Sequence, residues 1–203
     1  LEMTIADRWF YAPLIGLLGF LGVVATQIRI NKRYLFAAAI VIILLLSLRT
    51  FIRTFDWRDD ISINKHDLAD QVNNFVIMDD LAMAYLRVGD TNNALHYEKQ
   101  SVAISPQIFT IGHLGNIYYA KKQYRLAAEE YSKAIILIEK NPNGKNSGAL
   151  QQYYTKLAVI SLRTGSPTSA IKLLNEHALK QFPKDDIFYF LLSYAYFRAG
   201  DHQ

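Results

Sequence analysis

A pattern of leucine, a small residue, tyrosine, glycine and alanine recurs at fixed intervals in the C-terminal part of this 203-residue chain. Full copies begin at Leu81, Leu114 and Leu157, and each ends with an alanine thirteen positions after its leucine. A fourth, partial copy covers residues 191–201. Because an interval of 33 residues separates the first two copies, the pattern predicts stacked helix pairs.

The pattern resembles the tetratricopeptide repeat (TPR). In this family a small residue lets two helices approach, an aromatic side chain packs beside it, and a glycine ends the first helix. The small residues are Ala82, Gly115, Ala158 and Ser193, the aromatic ones are Tyr85, Tyr118 and Tyr196, and the glycines are Gly89, Gly165 and Gly200. Second-helix positions match at Ala94, Ala127, Ala170, Tyr131 and Ala134, and the helix-ending prolines are Pro106 and Pro183. The departures are Ser161, Lys122, Glu98 and Ser101.

The repeats predict an all-α fold in which residues 76–203 form a TPR α-solenoid of about three and a half repeats. The interval from Leu114 to Leu157 is 43 residues, and the surplus falls in the Gly/Asn-rich stretch 141–152, which is expected to be an insertion between helices. The residues that define the pattern are expected to lie in the core and to carry no chemistry.

Residues 1–53 predict a transmembrane hairpin. Residues 9–28 hold no charge over 20 positions, and residues 34–52 hold only Arg49. At about 1.5 Å per residue, such helices cross a hydrocarbon core of roughly 30 Å, so the lipid bilayer is an expected partner. The glycines Gly16, Gly19 and Gly22 either pack against further transmembrane helices or reflect the general frequency of glycine in such spans.

The charge distribution predicts the topology of this hairpin. The whole net charge of +4 lies in residues 1–53, and the rest of the chain is balanced, which gives no reason to expect nucleic-acid binding. The linker between the spans carries Arg29, Lys32 and Arg33 and no acid. The positive-inside rule therefore places this linker in the cytoplasm and makes the chain an integral membrane protein with an extracytoplasmic TPR domain. Residues 54–75 are expected to form a linker and a leading helix, because residues 66–75 have helical spacing.

No catalytic motif is found, and no cofactor, catalytic residue or metal site is expected. The chain has no cysteine, which excludes thiolate chemistry. His66 and Asp70 are spaced i,i+4 but are expected to be a solvated pair. Asp79 and Asp80 are interpreted as surface or N-cap residues.

The candidate site is the concave groove lined by the first helix of each repeat. Its members are Met83, Arg87, Asn116, Tyr119, Thr155, Arg163, Tyr194, Phe197 and Arg198. The positions that hold a C-terminal carboxylate in chaperone-binding TPRs are here Asp79, Gly112, Thr155 and Phe190, so that clamp is not reproduced. Aromatic faces and arginine donors suit a protein or peptide partner, either an extended segment or a helix. The alternative is a bare structural surface.

The N-terminal part resembles polytopic, lipid-linked-sugar glycosyltransferases with C-terminal TPRs, such as the eukaryotic transmembrane-and-TPR O-mannosyltransferases. The resemblance rests on Ala6, Asp7, Arg8, Tyr11 and Pro13, followed by a second span and then Arg53, Trp57 and Arg58. It implies transfer of a sugar from a polyprenyl-phosphate donor, with the TPRs presenting the acceptor protein. The outer-loop catalytic acid of that family has no counterpart here. Arg8 would contact a lipid phosphate or would pair with Asp7 at the interface.

Two functions remain open. The chain is either the partner-binding arm of a membrane glycosyltransferase or a non-enzymatic, membrane-tethered TPR adaptor for envelope complexes. Both ends of the sequence look cut, which favours part of a longer protein. A third hypothesis, a cytosolic receptor for targeting signals, requires the opposite topology.

Overall fold

The structure is a computed structural model that describes residues 16, 19–20, 22–23, 32–54, 58–140 and 147–200. The chain divides into two compact units, Leu1–Phe55 and Asp56–Gln203. The described part of the chain is all-α, as the sequence predicts.

The first unit contains one long described helix, α1, at Lys32–Thr54. Its 23 residues would extend over about 35 Å at 1.5 Å per residue. The apolar side chains from Ile40 to Leu46 are 43–63% exposed. Across the side chains that the structure describes, no helix is both long enough and apolar enough to cross a membrane. Most of the predicted span 9–28 lies outside the described residues, and a Cβ atom added at Gly16, Gly19 or Gly22 would have no neighbour within 4 Å.

The second unit is a succession of helix pairs in chain order. A leading helix, α2, is followed by one pair for each full repeat and by a single helix for the partial repeat. The bounds are α2 Asp60–Asp70, α3 Phe75–Arg87, α4 Thr91–Ile104, α5 Ile108–Ala120, α6 Tyr124–Lys140, α7 Ser147–Arg163 and α9 Asp186–Ala199. Between α7 and α9, the helix α8 comprises Pro167–Leu173, a π-helical turn at Leu174–Ala178, and Leu179–Gln181.

Short polar side chains fix where several of these helices begin. The Asn74 side chain accepts hydrogen bonds from the backbone N–H groups of Val76 and Ile77 and so caps α3. Asp90 and Asp185 cap α4 and α9 in the same way. These caps satisfy backbone donors that have no partner within the helix.

The ends of the first helices confirm the turn predicted by the repeat. Gly89, Gly165 and Gly200 adopt left-handed conformations with φ of 82°, 75° and 80°. Lys122, which replaces the glycine in the second repeat, adopts the same region with φ of 60°. The turn therefore requires this geometry even where the residue has a Cβ atom and pays the steric cost.

The small and aromatic positions form the core as predicted. Ala82, Ala158 and the alanines that open the second helices are fully buried, and Tyr85 and Tyr118 are 8% exposed. Gly115 shows why a small residue is needed, since a Cβ atom there would lie 2.7 Å from the ring of Tyr131. Tyr131 itself is fully buried. The helices α5 and α6 thus approach across a contact that leaves no room for a methyl group.

Four local expectations are corrected. The leading helix occupies Asp60–Asp70 rather than 66–75, because Asp59 accepts a hydrogen bond from the N–H of Ser62 and Asn74 begins the next helix. The helix α7 begins at Ser147, so residues 147–152 are helical rather than part of an insertion. Ser193 is exposed, because no second helix packs on that face of α9 among the described residues.

The fourth correction concerns Asp79, which is buried at 4% exposure and is neither a surface nor a cap residue. It lies on the face of α3 that meets neighbouring helices, and its carboxylate Oδ1 lies 2.6 Å from Nδ1 of His113. Asp80, by contrast, is exposed as expected.

The π-helical turn in α8 has a packing consequence. In α6, Ala134 lies three residues after Tyr131 and is fully buried. Leu174 is the equivalent of Tyr131 in the third repeat, so His177, three residues later, would be expected at the position of Ala134. The wider turn accommodates one more residue, so Ala178 is the fully buried residue and His177 is exposed. The ring of His177 stacks on Tyr154 at 6.5 Å instead.

The close approach at Gly115 yields a paired test. We expect Gly115→Ala to destabilise the protein by about 1–3 kcal/mol, because the added methyl group overpacks a buried contact. The matched change Gly148→Ala, at a helical position with no neighbour within 4 Å, is expected to be neutral or stabilising by up to ~1 kcal/mol. Urea unfolding of both variants measures the difference. Equal effects of the two substitutions would contradict the packing described here.

Candidate functional site

The predicted groove residues lie on four helices, and their surroundings divide them into an N-terminal group, a central group of Asn116, Tyr119 and Thr155, and a C-terminal group. Met83 and Arg87 lie on α3, Asn116 and Tyr119 on α5, and Thr155 and Arg163 on α7. The remaining members, Tyr194, Phe197 and Arg198, lie on α9. Each group has different surroundings, so the groove is not uniform in its chemistry.

The N-terminal group is engaged by the leading helix. Met83 is half-buried and packs against the same apolar cluster as Ile61 and Leu68 of α2. The Nη2 atom of Arg87 lies 2.5 Å from Oδ2 of Asp60, also on α2. Both side chains of this ion pair are exposed, so its contribution to stability is small. This end of the predicted groove is therefore occupied by a segment of the same unit.

The central group forms an internal hydrogen-bond network. The Oδ1 atom of Asn116 accepts from the hydroxyl of Tyr131 at 2.8 Å and from Nζ of Lys156 at 2.9 Å. The ammonium of Lys156 also lies 5.6 Å from the ring centre of Tyr131, and its partial burial lowers its pKa. Asn116, predicted to line the groove, thus uses its side-chain carbonyl oxygen to hold α6 and α7 on α5.

The other two central residues also have local partners. The hydroxyl of Thr155 donates to the backbone carbonyl of Gln151 at 2.9 Å, which is a bond within its own helix. Tyr119 is half-buried, and its ring meets that of Tyr124 edge-on at 5.5 Å. A cation, the guanidinium of Arg163, lies 5.8 Å from the ring centre of Tyr119 and links this group to the next.

The C-terminal group lines an open depression between α7 and α9, which we call the C-terminal cleft. Its volume is about 360 Å³. It is lined by Val159, Leu162, Arg163, Phe190, Leu191, Tyr194 and Arg198. Three of these, Arg163, Tyr194 and Arg198, are residues predicted from the sequence.

The cleft combines an apolar floor with two arginines. Arg198 donates from Nη1 to the hydroxyl of Tyr194 at 3.1 Å, and its guanidinium carbon lies 5.9 Å from the centre of the same ring. Phe190 and Tyr194 are 70% and 40% exposed, which leaves aromatic faces accessible. None of the described residues that line the cleft is acidic. Its surface therefore favours a ligand that carries negative charge beside an apolar or aromatic group.

On α9, the sequence-predicted groove included one residue that does not line the cleft and omitted others that do. Phe197 is 63% exposed and lies on α9 outside the lining residues. Phe190 entered the sequence analysis only as a position where the carboxylate clamp is absent, although its bulk and place in the repeat could have indicated the cleft. Arg8, the candidate lipid-phosphate contact, lies outside the described residues.

Comparisons with known proteins establish the fold. No protein-family model matches this chain, and no curated protein matches it. A crystal structure of MamA is similar with a TM-score of 0.59 and 21% identity, covering 70% of this chain and 77% of that one. Nearly identical TPR-like repeats of a kinesin light chain-like protein from Podosopora anserina give 0.60 and 18%, covering 70% and 79%.

A third similar structure is a chain of the APC/C hetero-tetramer Cut9–Hcn1, with a TM-score of 0.54 and 19% identity, covering 65% of this chain and 25% of that one. At these identities the likeness shows a shared fold, and the chain is a TPR-repeat helical protein. The comparisons provide no family link to the O-mannosyltransferases that the N-terminal motif resembles.

The central network predicts that Asn116 has a structural role. We expect Asn116→Ala to lower the free energy of unfolding by about 1–3 kcal/mol, because the buried hydroxyl of Tyr131 and the half-buried ammonium of Lys156 lose their shared acceptor. The control Asn92→Ala removes an exposed acceptor of Lys121 and should change stability by less than about 0.5 kcal/mol. Thermal and urea unfolding provide both values. An Asn116→Ala variant as stable as the parent would contradict this role.

Proposed function

We propose that this chain is a TPR protein-interaction module that binds an acidic segment of a partner protein in the C-terminal cleft. The observation that carries the proposal is the pairing of Arg163 and Arg198 with exposed aromatic faces in a cleft whose described lining residues include no acid. Carboxylates of the partner would pair with the guanidinium groups, and an apolar side chain would pack on Phe190 and Tyr194.

Both arginines are held in place before any ligand arrives. Each guanidinium lies within 6 Å of a tyrosine ring centre, at Tyr119 for Arg163 and at Tyr194 for Arg198. A side chain that is already positioned loses less conformational entropy on binding than a free one. Aromatic contact area has a similarly small ordering cost, because the rings have few rotatable bonds. The cleft is therefore suited to an extended peptide held by charge-assisted hydrogen bonds and stacking.

Intramolecular contacts already fill part of the groove, and this limits the length of peptide that can bind. The leading helix α2 covers the N-terminal end, and the central asparagine and threonine already have intramolecular partners. The binding surface then comprises α7 and α9, with Tyr119 at its edge. A peptide of a few residues is sufficient to span it.

A peptide-array experiment tests this proposal with the full-length chain. We expect binding to short peptides that carry Asp or Glu beside Phe, Leu or Tyr, and weaker binding to copies in which the acids are replaced by Lys. Arg163→Gln and Arg198→Gln are each expected to reduce affinity about 5- to 50-fold, which corresponds to the loss of one charge-assisted pair. Binding should also weaken as salt rises.

The matched control for these variants is Arg125→Gln, because Arg125 is an exposed arginine that pairs with Glu129 and does not line the C-terminal cleft. Its affinity for the selected peptides should equal that of the parent. If Arg163→Gln and Arg198→Gln bind as well as Arg125→Gln, the cleft is not the binding site.

We further propose that residues 1–53 tether this module to a membrane, with the TPR domain on the extracytoplasmic side. The support is the uncharged stretch 9–28, the apolar stretch 34–52 and the basic linker between them. The exposed apolar side chains of α1 are consistent with a lipid environment.

Single introduced cysteines test this topology, since the chain contains none of its own. With a membrane-impermeant maleimide on intact cells, we expect Asn73→Cys, at an exposed position before α3, to be labelled. Asn31→Cys, in the linker between the proposed spans, should be labelled only after the cells are opened. The reverse pattern would place the TPR domain in the cytoplasm, and labelling of both from outside would contradict the hairpin.

The glycosyltransferase hypothesis is a finer version of the same proposal. It rests on the motif at Ala6, Asp7, Arg8, Tyr11 and Pro13, and it makes the TPR domain the arm that presents an acceptor protein. The adaptor alternative requires only the tether and the cleft. The coding sequence upstream of Leu1 distinguishes them: further spans with an acidic residue in an early outer loop support the enzyme, and a start codon near Met3 supports the adaptor.

A further inference from the structure

Three ionisable side chains meet in the interior of the first two repeats, far in sequence from the C-terminal cleft. They are Asp79 on α3, Glu98 on α4 and His113 on α5, and we call them the buried triad. Their nearest nitrogen and oxygen atoms all lie within 4.8 Å of one another. Asp79 is 4% exposed and Glu98 is fully buried, whereas the side chain of His113 is 33% exposed.

Glu98 is the unusual member of the triad. It lies 33 residues before Tyr131 and takes the position in α4 that this tyrosine takes in α6. Neither of its carboxylate oxygens has a hydrogen-bond partner, although both are inaccessible to solvent. A buried carboxylate without a partner is strongly unfavourable, so something must compensate its charge or its hydrogen-bonding capacity.

The surrounding protein provides little compensation. The described ion pairs include Asp79 with His113, at 2.6 Å, and none that involves Glu98. Asp80, the exposed neighbour of Asp79, adds a further carboxylate, and partial desolvation together with the charge of Asp79 raises its pKa. The buried carboxylates of Asp79 and Glu98 therefore lie beside a single imidazole, that of His113, and the site has a deficit of positive charge.

We propose that the buried triad binds one divalent transition-metal ion, for which Zn²⁺ is the test ion, through Nδ1 of His113 and one carboxylate oxygen each of Asp79 and Glu98. Imidazole and carboxylate are ligands that Zn²⁺ accepts at about 2.0–2.2 Å. The two negative charges of the carboxylates balance the charge of the ion. The partly exposed edge of His113 leaves room for a water ligand to complete the coordination.

The observed distances allow this coordination with a small rearrangement. Ligand atoms around a tetrahedral ion with bonds of about 2.1 Å lie about 3.4 Å apart. The pair Asp79–His113 is closer than this at 2.6 Å, and the remaining separations extend to 4.8 Å. Binding would replace the Asp79–His113 hydrogen bond by two metal bonds and draw Glu98 inward by rotation of its side chain.

Metal binding at this place would have a defined structural effect. The three ligands come from three consecutive helices, so the ion would join both helices of the first repeat to the first helix of the second. A metal that binds only the folded state contributes its binding free energy to stability. The ion would therefore stabilise the interface between the first and second repeats.

A proton is the competing occupant. Burial and the neighbouring carboxylate of Asp79 raise the pKa of Glu98 to about 10, so the neutral acid can donate a hydrogen bond to Asp79. In that case the triad is a closed hydrogen-bonded cluster and needs no ion. The same-size variant Glu98→Gln separates the two states, because an amide can replace a neutral acid but is a poor metal ligand.

The experiment uses the full-length chain stripped with EDTA and then titrated with Zn²⁺ by calorimetry, with thermal unfolding measured in parallel. We expect uptake of one equivalent and a rise in Tm, which Glu98→Gln should abolish through a loss of affinity on the order of 100-fold or more. The control His66→Ala removes an exposed histidine beside Asp67 and should leave both readouts unchanged.

Cobalt provides a readout that does not depend on the variants. Co²⁺ in the parent protein should show the intense visible absorption of a four- or five-coordinate ion, and excess Zn²⁺ should remove it. The proposal is overturned if the parent binds neither ion, or if Glu98→Gln binds Zn²⁺ as well as the parent does. A Glu98→Gln variant that is more stable than the metal-free parent, with no Zn²⁺ effect in either, would identify the proton as the occupant.

Discussion

The close approach of paired helices is the constraint on which the solenoid depends. At Gly115 the backbone of α5 comes so near the ring of Tyr131 that a single methyl group would lie 2.7 Å from it. The hydroxyl of the same tyrosine then reaches Asn116, which in turn accepts from Lys156 on α7. One buried aromatic side chain therefore fixes the distance within a helix pair and the contact with the next pair. A repeat cannot bury its apolar face alone, so each repeat needs a packing contact with its neighbour for the stack to be stable.

The first repeat solves the same packing problem with a different side chain. Where the second repeat has Tyr131, the first has Glu98, which provides neither the ring nor the hydroxyl. Instead of an aromatic contact, the carboxylate of Glu98 lies near polar groups from two neighbouring helices, those of Asp79 and His113. A substitution that weakens the apolar contact thus creates an ionisable cluster at the corresponding position. Departures from a repeat pattern are therefore the places where a solenoid acquires chemistry that the pattern itself does not carry.

The sequence predicted the features that depend on residues close together in the chain. The left-handed turns follow from Gly89, Gly165 and Gly200, and the period places Ala94, Ala127 and Ala170 in the core. The geometry is strong enough to hold Lys122 in the same turn, so the prediction holds even where the signal is missing.

Features that depend on contacts with a neighbouring repeat could not be predicted from the sequence. Asp79 resembles an exposed acid near the start of α3, and its burial follows only from α4 and α5 closing over it. The same reasoning explains Asn116, whose partners Tyr131 and Lys156 lie 15 and 40 residues away. The cleft was predicted in part, since Arg163, Tyr194 and Arg198 follow from the register of the repeat. The role of Phe190 required the actual separation of α7 and α9.

The linear architecture also determines how far the two proposed sites influence each other. The buried triad joins α3, α4 and α5, whereas the C-terminal cleft is formed by α7 and α9, and no residue belongs to both. In a solenoid, stability is approximately a sum of repeat terms and nearest-neighbour interface terms. A change in the triad can therefore reach the cleft through the contacts that α5 makes with α6 and α7. These include the hydrogen bond from Lys156 to Asn116, the hydrogen bond from Tyr153 to the carbonyl of Ile108, and the contact of Arg163 with the ring of Tyr119. Asn116 lies on one of these routes, and its hydrogen bonds with Tyr131 and Lys156 explain why this groove position is occupied by an intramolecular contact rather than left open to a ligand.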